Sequence, residues 1–160
     1  MVTIRHATEG DASAITALWN HFIRDTIVTF NPTEKTGAEV AEAILTRPAF
    51  LVAEDAGLLG FATFSQFRGG AGYARTMEHT ILLGSEARGR GVGRALMTAL
   101  CTAARDSGAH VLVAGVSGEN AGAIAFHLAE GFAITGRMPE VGWKFGRWHE
   151  LVLLQKVLAA

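Results

Sequence analysis

The sequence is poor in cysteine. Cys101 is the only one in 160 residues, so no internal disulfide can form, and a reducing compartment, the cytoplasm, is expected. Charge is scarce as well. Asp, Glu, Lys and Arg make up 18% of the chain and the net charge is -1, which excludes the broad basic surface of a general nucleic-acid binder. No stretch approaches the roughly 18 unbroken apolar residues that a membrane span requires. The opening segment, MVTIRHATEGD, is short and mixed, so no secretory or transit segment is expected. Repeats and low-complexity tracts are missing too. What is plentiful is apolar: 49% of residues are hydrophobic, enough to bury a sizeable core, and the length fits a single domain spanning residues 1–160.

Patterning along the chain predicts an alternation of strands and helices. Val2 to His6 reads as a short strand. Asp11 or Ser13 can cap a helix whose apolar face carries Ile15, Leu18, Trp19, Phe22 and Ile23. Asp25 to Pro32 reads as a loop. Thr36-Gly37-Ala38-Glu39 fits a capping box before a second helix. FLVAE and GFATFSQF, split by the turn signal Asp55-Ala56-Gly57, form a hairpin, and YARTMEHTILL is a longer extended run. A helix follows over Arg94 to Asp106, stopped by Ser107-Gly108. HVLVAGVS reads as a buried strand of the parallel type. Asn120 caps a helix closed at Gly131, and FAITGR and WHELVLLQKV are closing strands. The order βααβββαβαββ gives an α/β (α+β) domain with a mixed sheet covered by helices.

The most unusual stretch is EARGRGVGRAL, residues 86–96. It follows an apolar strand and opens a helix, where the first backbone N–H groups have no internal partner and carry the positive end of the helix dipole. Gly89, Gly91 and Gly93 clear the approach, and Arg88, Arg90 and Arg94 add positive charge, a combination suited to a pyrophosphate. A flexible solvated loop is the plainer alternative. The stretch is neither a P-loop, since no Lys-Ser or Lys-Thr stands in it, nor a dinucleotide fingerprint, since the glycine spacing and the mid-chain position both differ.

The spacing Arg88-x-x-Gly91-x-Gly93 resembles the [QR]-x-x-G-x-[GA] signature of the GNAT family of acyl-CoA-dependent N-acetyltransferases, and the element order is similar over nearly the whole chain. The resemblance implies a mostly antiparallel sheet flanked by helices, with acetyl-CoA as co-substrate. It places the pyrophosphate on the amides of Arg88, Gly89, Arg90, Gly91, Val92, Gly93 and Arg94, and the pantetheine arm along Ile81, Leu82 and Leu83, with Asn120 bonding that arm. In NAGAIAFHLAEGF the family's usual tyrosine position holds His127, and Glu130 stands where leucine is usual.

Acetyl transfer to an amine requires a base for the ammonium, donors for the developing oxyanion and an acid for the leaving thiolate. Cys101, mid-helix beside Leu100, reads as core rather than nucleophile. Glu78 is the first base candidate, if its strand is buried enough to raise its pKa; an exposed carboxylate or an ion pair with Arg75 is the alternative. His127 is the second, its ordinary pKa suiting proton transfer near neutrality, against the alternative of a partly buried helix histidine.

Three segments, GYARTMEHTILL, AFHLAEGF and GWKFGRWHELVLLQK, resemble the phosphinothricin and methionine sulfoximine acetyltransferases within that family. The matching positions are Tyr73, Thr76, Glu78, His79, His127, Gly142-Trp143-Lys144, Gly146, Trp148, His149 and Glu150. This resemblance implies Glu78 and His127 as the proton-handling pair. It implies a small amino acid or analogue acylated on its α-amine by direct attack in a ternary complex, without a metal. Phe30, Asn31 and Thr33 of TFNPTE, together with Tyr73, Arg75 and Thr76, become candidate acceptor-binding residues. Arg75, Arg68 and Lys144 are candidate partners for the acceptor's carboxylate, although strand alternation sets Arg75 and Glu78 on opposite faces unless a bulge intervenes. Trp143 and Trp148 read as closing-strand core or as contacts of a homodimer, the assembly the resemblance implies. Acetylation of a protein N-terminus and a non-catalytic CoA-binding module are the competing readings. A nucleotide phosphotransferase fits less well, because the loop lacks the lysine and hydroxyl that hold phosphate and Mg²⁺.

Overall fold

A computed structural model describes residues 1–158. Its strands are β1 (Thr3–His6), β2 (Ala49–Glu54), β3 (Leu58–Gln66), β4 (Thr76–Leu83), β5 (Val111–Ser117), β6 (Ala133–Lys144) and β7 (Arg147–Val157). Its helices are α1 (Ala12–Asp25), α2 (Gly37–Thr46), α3 (Val92–Asp106) and α4 (Ala121–Ala129). All seven strands join one sheet in the order β1-β2-β3-β4-β5-β7-β6. Every neighbouring pair is antiparallel except β4 and β5.

Strand alternation sorts side chains to the two faces. On one face Ile15, Trp19 and Ile23 of α1 and Val40 of α2 bury against Phe50, Val52, Phe61 and Leu82. On the other, Leu96, Met97, Leu100, Cys101 and Ala104 of α3 bury against Leu51, Ala62, Phe64, Met77, Leu112 and Ala114. Cys101 is thus core, as its pattern suggested. The helix boundaries have local causes. Thr36 Oγ1 accepts from the Glu39 N–H at 3.1 Å while Glu39 reaches back, completing the capping box of α2. Asn120 Oδ1 accepts from the Ala123 N–H at 3.1 Å and starts α4. Gly108 and Gly131, at φ +89° and +91°, end α3 and α4 in the left-handed conformation.

Four local expectations change. Asp11 flanks α1 without capping it; its carboxylate instead receives the Arg5 guanidinium at 2.8 and 2.9 Å and the Thr8 N–H. Tyr73 lies in a 3₁₀ turn over Ala71–Tyr73, so β4 begins only at Thr76 and the extended run is shorter than its composition suggests; Gly69-Gly70, with Gly70 at φ +110°, bends the chain there. Helix α3 starts at Val92, inside the glycine-rich stretch. Strand β6 continues well past FAITGR, to Lys144, by absorbing register shifts after Ile134 and after Met138. Pro139 falls in the second shift, on an edge strand, where its missing N–H breaks no central ladder.

The feature that positions the site is the β4–β5 junction. Only Thr76↔Val111, Met77↔Leu112 and Glu78↔Val113 pair. Beyond them β4 stays with β3 through Leu83, and β5 stays with β7 through Ser117. The two strands part in the middle of the sheet and leave His79–Leu83 with an unpaired edge.

Candidate active site

A cavity of about 320 Å³ opens in this gap. Glu78, Thr80 and Ile81 line it from β4, Gly115, Val116 and Ser117 from β5, Asn120 and Ala123 from the start of α4 and His127 from its last turn, and Trp19, Phe30, Asn31 and Lys35 from α1 and the loop after it. A second cavity of about 340 Å³ adjoins it along Ile81, Leu82, Leu83, Asn120 and Phe126. Together they form a trough running from the α1–α2 loop, through the sheet, toward the glycine-rich stretch.

Alternation aims Glu78 at the α1 face and His79 at the α3 face. Glu78 is exposed to the open cleft and has no ion pair, with Arg75 or any other described cation. Protein atoms nevertheless crowd its carboxyl: a Cβ on Gly115 would lie 3.1 Å from Oε2. Desolvation raises its pKa above the ordinary carboxylate range. Gly115 is therefore the residue that makes room for the carboxylate.

On the other face two histidines meet. His127 Nδ1 lies 2.7 Å from the Ala123 carbonyl, and His127 Nε2 lies 3.0 Å from His79 Nε2. A carbonyl only accepts, so His127 Nδ1 carries the proton and its neutral Nε2 accepts. In the neutral pair His79 Nε2 is then the donor; His79 Nδ1 is buried with no well-formed hydrogen bond, although the Val113 backbone beside it favours a proton on the ring. Burial holds both rings below the ordinary histidine pKa, and in His79 the neighbouring His127 adds to it. Phe132 packs against both rings, centroids 5.5 and 5.0 Å away. His127 thus stands at the gap with both nitrogens already engaged.

The glycine-rich stretch adjoins the second cavity through Gly93, which packs beside its lining residues Leu83 and Phe126. Gly89 and Gly91 adopt φ +73° and +70°, and a Cβ at either would meet nothing within 4 Å, so the space above them is open. Gly91 caps α3, leaving the amides of Val92, Gly93 and Arg94 without intrahelical partners. Val92 and Gly93 otherwise serve packing: the Val92 side chain is core, and a Cβ on Gly93 would come within 3.2 Å of Leu83 and Phe126. Arg88 and Arg94 are exposed and pair with no described carboxylate, whereas Arg90 is bonded to Asp55 in the β2–β3 turn.

Residues 15–132 match the Acetyltransferase (GNAT) family. The chain belongs to that family. It is 36% identical to an L-methionine sulfoximine/L-methionine sulfone acetyltransferase of Salmonella typhimurium, over 96% of this chain and 93% of the relative. It is 34% identical to a phosphinothricin N-acetyltransferase of Alcaligenes faecalis, over 99% and 83%. A solved acetyltransferase structure from Salmonella typhimurium, determined with acetyl-CoA, superposes with a TM-score of 0.95 at 35% identity, over 100% of this chain and 95% of that one. The GNAT chain described here is accordingly an acyltransferase with a mixed, mostly antiparallel sheet, as the resemblance implied.

The acceptor candidates divide. Phe30 and Asn31 line the cavity; Thr33 does not, and its N–H is bonded to Asn31 Oδ1 at 3.0 Å. Tyr73, Arg75 and Thr76 all lie outside the lining, at the paired end of β4. Arg68 stacks over Tyr73, 5.3 Å from its centroid. Lys144 is buried and spent on structure, its Nζ donating to the carbonyls of Thr26 and Thr29 at 2.6 and 2.8 Å. Sequence reasoning missed Gly115, the role of His79 and Lys35. The pairing Glu78-His79 was the one available signal: adjacent strand residues serve opposite faces of the gap.

Imidazole ¹⁵N NMR tests the histidine geometry. His127 is expected as the Nδ1–H tautomer and to titrate below the ordinary histidine range, and His79 is expected to gain no proton between pH 8 and pH 6. Titration of either ring near the ordinary histidine value would contradict it.

Proposed function

We propose that this GNAT protein transfers an acetyl group from acetyl-CoA to the α-amine of a small amino acid or analogue, of the methionine sulfoximine, methionine sulfone or phosphinothricin type, by direct attack in a ternary complex. The observation that carries this is the unpaired Glu78 carboxylate at the mouth of the β4–β5 gap. The residues suit acetyl-CoA. Open space over Gly89 and Gly91, free amides at the start of α3 and the unpartnered Arg88 and Arg94 fit a pyrophosphate, and the bare edge of His79–Leu83 offers backbone groups to an amide-bearing arm. Ile81 and Leu83 share one face of β4 and Leu82 the other, so the arm would meet their backbone rather than three side chains.

Glu78 acts as the base. Its raised pKa brings its proton affinity closer to that of an ammonium, and its place on the α1 face puts it beside Phe30 and Asn31, on the acceptor side. His127 borders the thioester side from the α3 face. With both ring nitrogens engaged, it can reach a thiolate as an acid only by letting go of His79 or of the Ala123 carbonyl. Glu78 therefore carries the larger share of the proton handling. A small acceptor is favoured over a protein N-terminus because the loop from Val28 to Lys35 walls the acceptor end of the cavity, and Lys144 and the stack of Phe30 on His149, centroids 5.2 Å apart, hold that loop in place. A non-catalytic module would leave the Glu78 environment without a purpose.

Trp143 and Trp148 are a cross-strand pair with centroids 4.6 Å apart, more than half exposed beside Val141 and Phe145. They are not core. We read this apolar strip on β6 and β7 as the contact of a homodimer. The single buried thiol of Cys101 supports a cytoplasmic setting; among the described residues no helix is long and apolar enough to cross a membrane.

Two measurements test this reading. Glu78→Gln should lower kcat with methionine sulfone or phosphinothricin by roughly 10²- to 10⁴-fold. A base must be ionised to act, so wild-type kcat/KM should rise with pH through a limb set by Glu78, lying above the roughly 4.3 of an unperturbed glutamate; turnover unaffected by the substitution would refute the assignment. Trp148→Glu should shift sedimentation from dimer to monomer, and a wild-type monomer would refute the assembly.

A further inference from the structure

The acceptor cavity carries two opposite charges on its wall, and only one of them, Glu78, has been given work above. The other is Lys35. Its backbone is fixed from both sides by one side chain: Asn20 Oδ1 accepts from the Lys35 N–H at 2.7 Å, and Asn20 Nδ2 donates to the Lys35 carbonyl at 2.8 Å. Its Nζ rests over the Trp19 ring, 4.5 Å from the centroid, so its stem lies against the cavity wall rather than trailing into solvent. Lys35 also borders an outer groove holding Glu39 and Glu42. Neither comes within ion-pair distance, and Glu39 is occupied by the capping box with Thr36. No other cation lines the cavity among the described residues.

We infer that Lys35 is the group that binds the acceptor's α-carboxylate, and so selects amino acids over amines that lack one. The inference rests on the amino-acid reading above. A zwitterionic acceptor presents an ammonium and a carboxylate joined by one carbon, and this cavity presents a carboxylate that takes the proton and an ammonium that faces no anion of its own. A cation resting on an indole face, with no competing acid, is held ready for a stronger anionic partner: a charge-assisted bond to a carboxylate exceeds the contact with the ring. Lys144, Arg68 and Arg75, the cations expected from the sequence, are respectively committed to two carbonyls, stacked on Tyr73, and outside the cavity. Lys35 is thus a specificity residue, acting through binding rather than through the proton transfer.

Steady-state kinetics of wild type, Lys35→Met and Lys35→Arg on L-methionine sulfone and on its α-carboxamide test this. Methionine keeps an apolar stem over Trp19 while removing the charge. The expected result is a fall in kcat/KM of roughly 10- to 100-fold for Lys35→Met on the acid, mainly through KM. The carboxamide should change by less than about twofold, and Lys35→Arg should recover most of the loss on the acid. An equal loss on acid and carboxamide, or no loss on the acid, would overturn the inference while leaving the acetyltransferase reading intact. A wild type that acetylates no amino acid would overturn the reading, and the inference with it.

Discussion

The candidate site depends on a pairing that stops. β4 and β5 share three residue pairs and then separate, because each has a better antiparallel partner on its other side. Parallel pairing is somewhat weaker per residue and tolerates interruption where neighbours hold each strand independently. The parting opens the sheet from one face to the other. It bares the backbone of His79–Leu83. Glu78 projects to the α1 face and His79 to the α3 face, and both border the one cavity. A continuous sheet would have left no room for the cavity that opens there.

The wall that the α1–α2 loop gives this cavity depends on a second set of contacts far away in sequence. Lys144 reaches back from β6 to two carbonyls of the α1–α2 loop. Gly142 leaves the space that Phe30 occupies, since a Cβ there would fall 2.3 Å from the Phe30 ring. His149, fully buried, stacks on the same ring and bonds the Lys144 carbonyl at 2.8 Å. The conspicuous late run Gly142–Glu150 is therefore mostly a clamp for a loop some 115 residues earlier. Rigid walls favour discrimination between small acceptors, because a pocket that cannot relax charges a misfit in full.

The sequence disclosed the fold well where local chemistry decided it. The capping box at Thr36, the Asn120 cap and the glycine stops at Gly108 and Gly131 are short-range and stood where expected. Boundaries moved where a tertiary partner decided them: β4 lost Tyr73 to a 3₁₀ turn, and β6 ran on through bulges because β7 extends beside it. The glycine-rich stretch was legible because its amides and glycines act locally. The acceptor site was only half legible. Lys144 looked like a substrate cation because its hydrogen-bond partners, Thr26 and Thr29, lie on another element. Lys35 escaped notice because nothing near it in sequence says that Asn20 pins it beside Trp19. Glycine counted double in the same stretch: Gly91 is there for its left-handed turn, Gly93 for close packing against Phe126.

The most direct test of the central claim, that the unpaired edge of β4 and the α3 entrance form the donor site, is hydrogen exchange measured by mass spectrometry with and without acetyl-CoA. The amides of residues 79–83 that point away from β3, and those of Val92, Gly93 and Arg94, should exchange readily in the free protein and become protected together when acetyl-CoA is added, while the already paired β1–β2 ladder stays unchanged. Protection confined to some other surface, or none over 79–83 at saturating acetyl-CoA, would contradict the account.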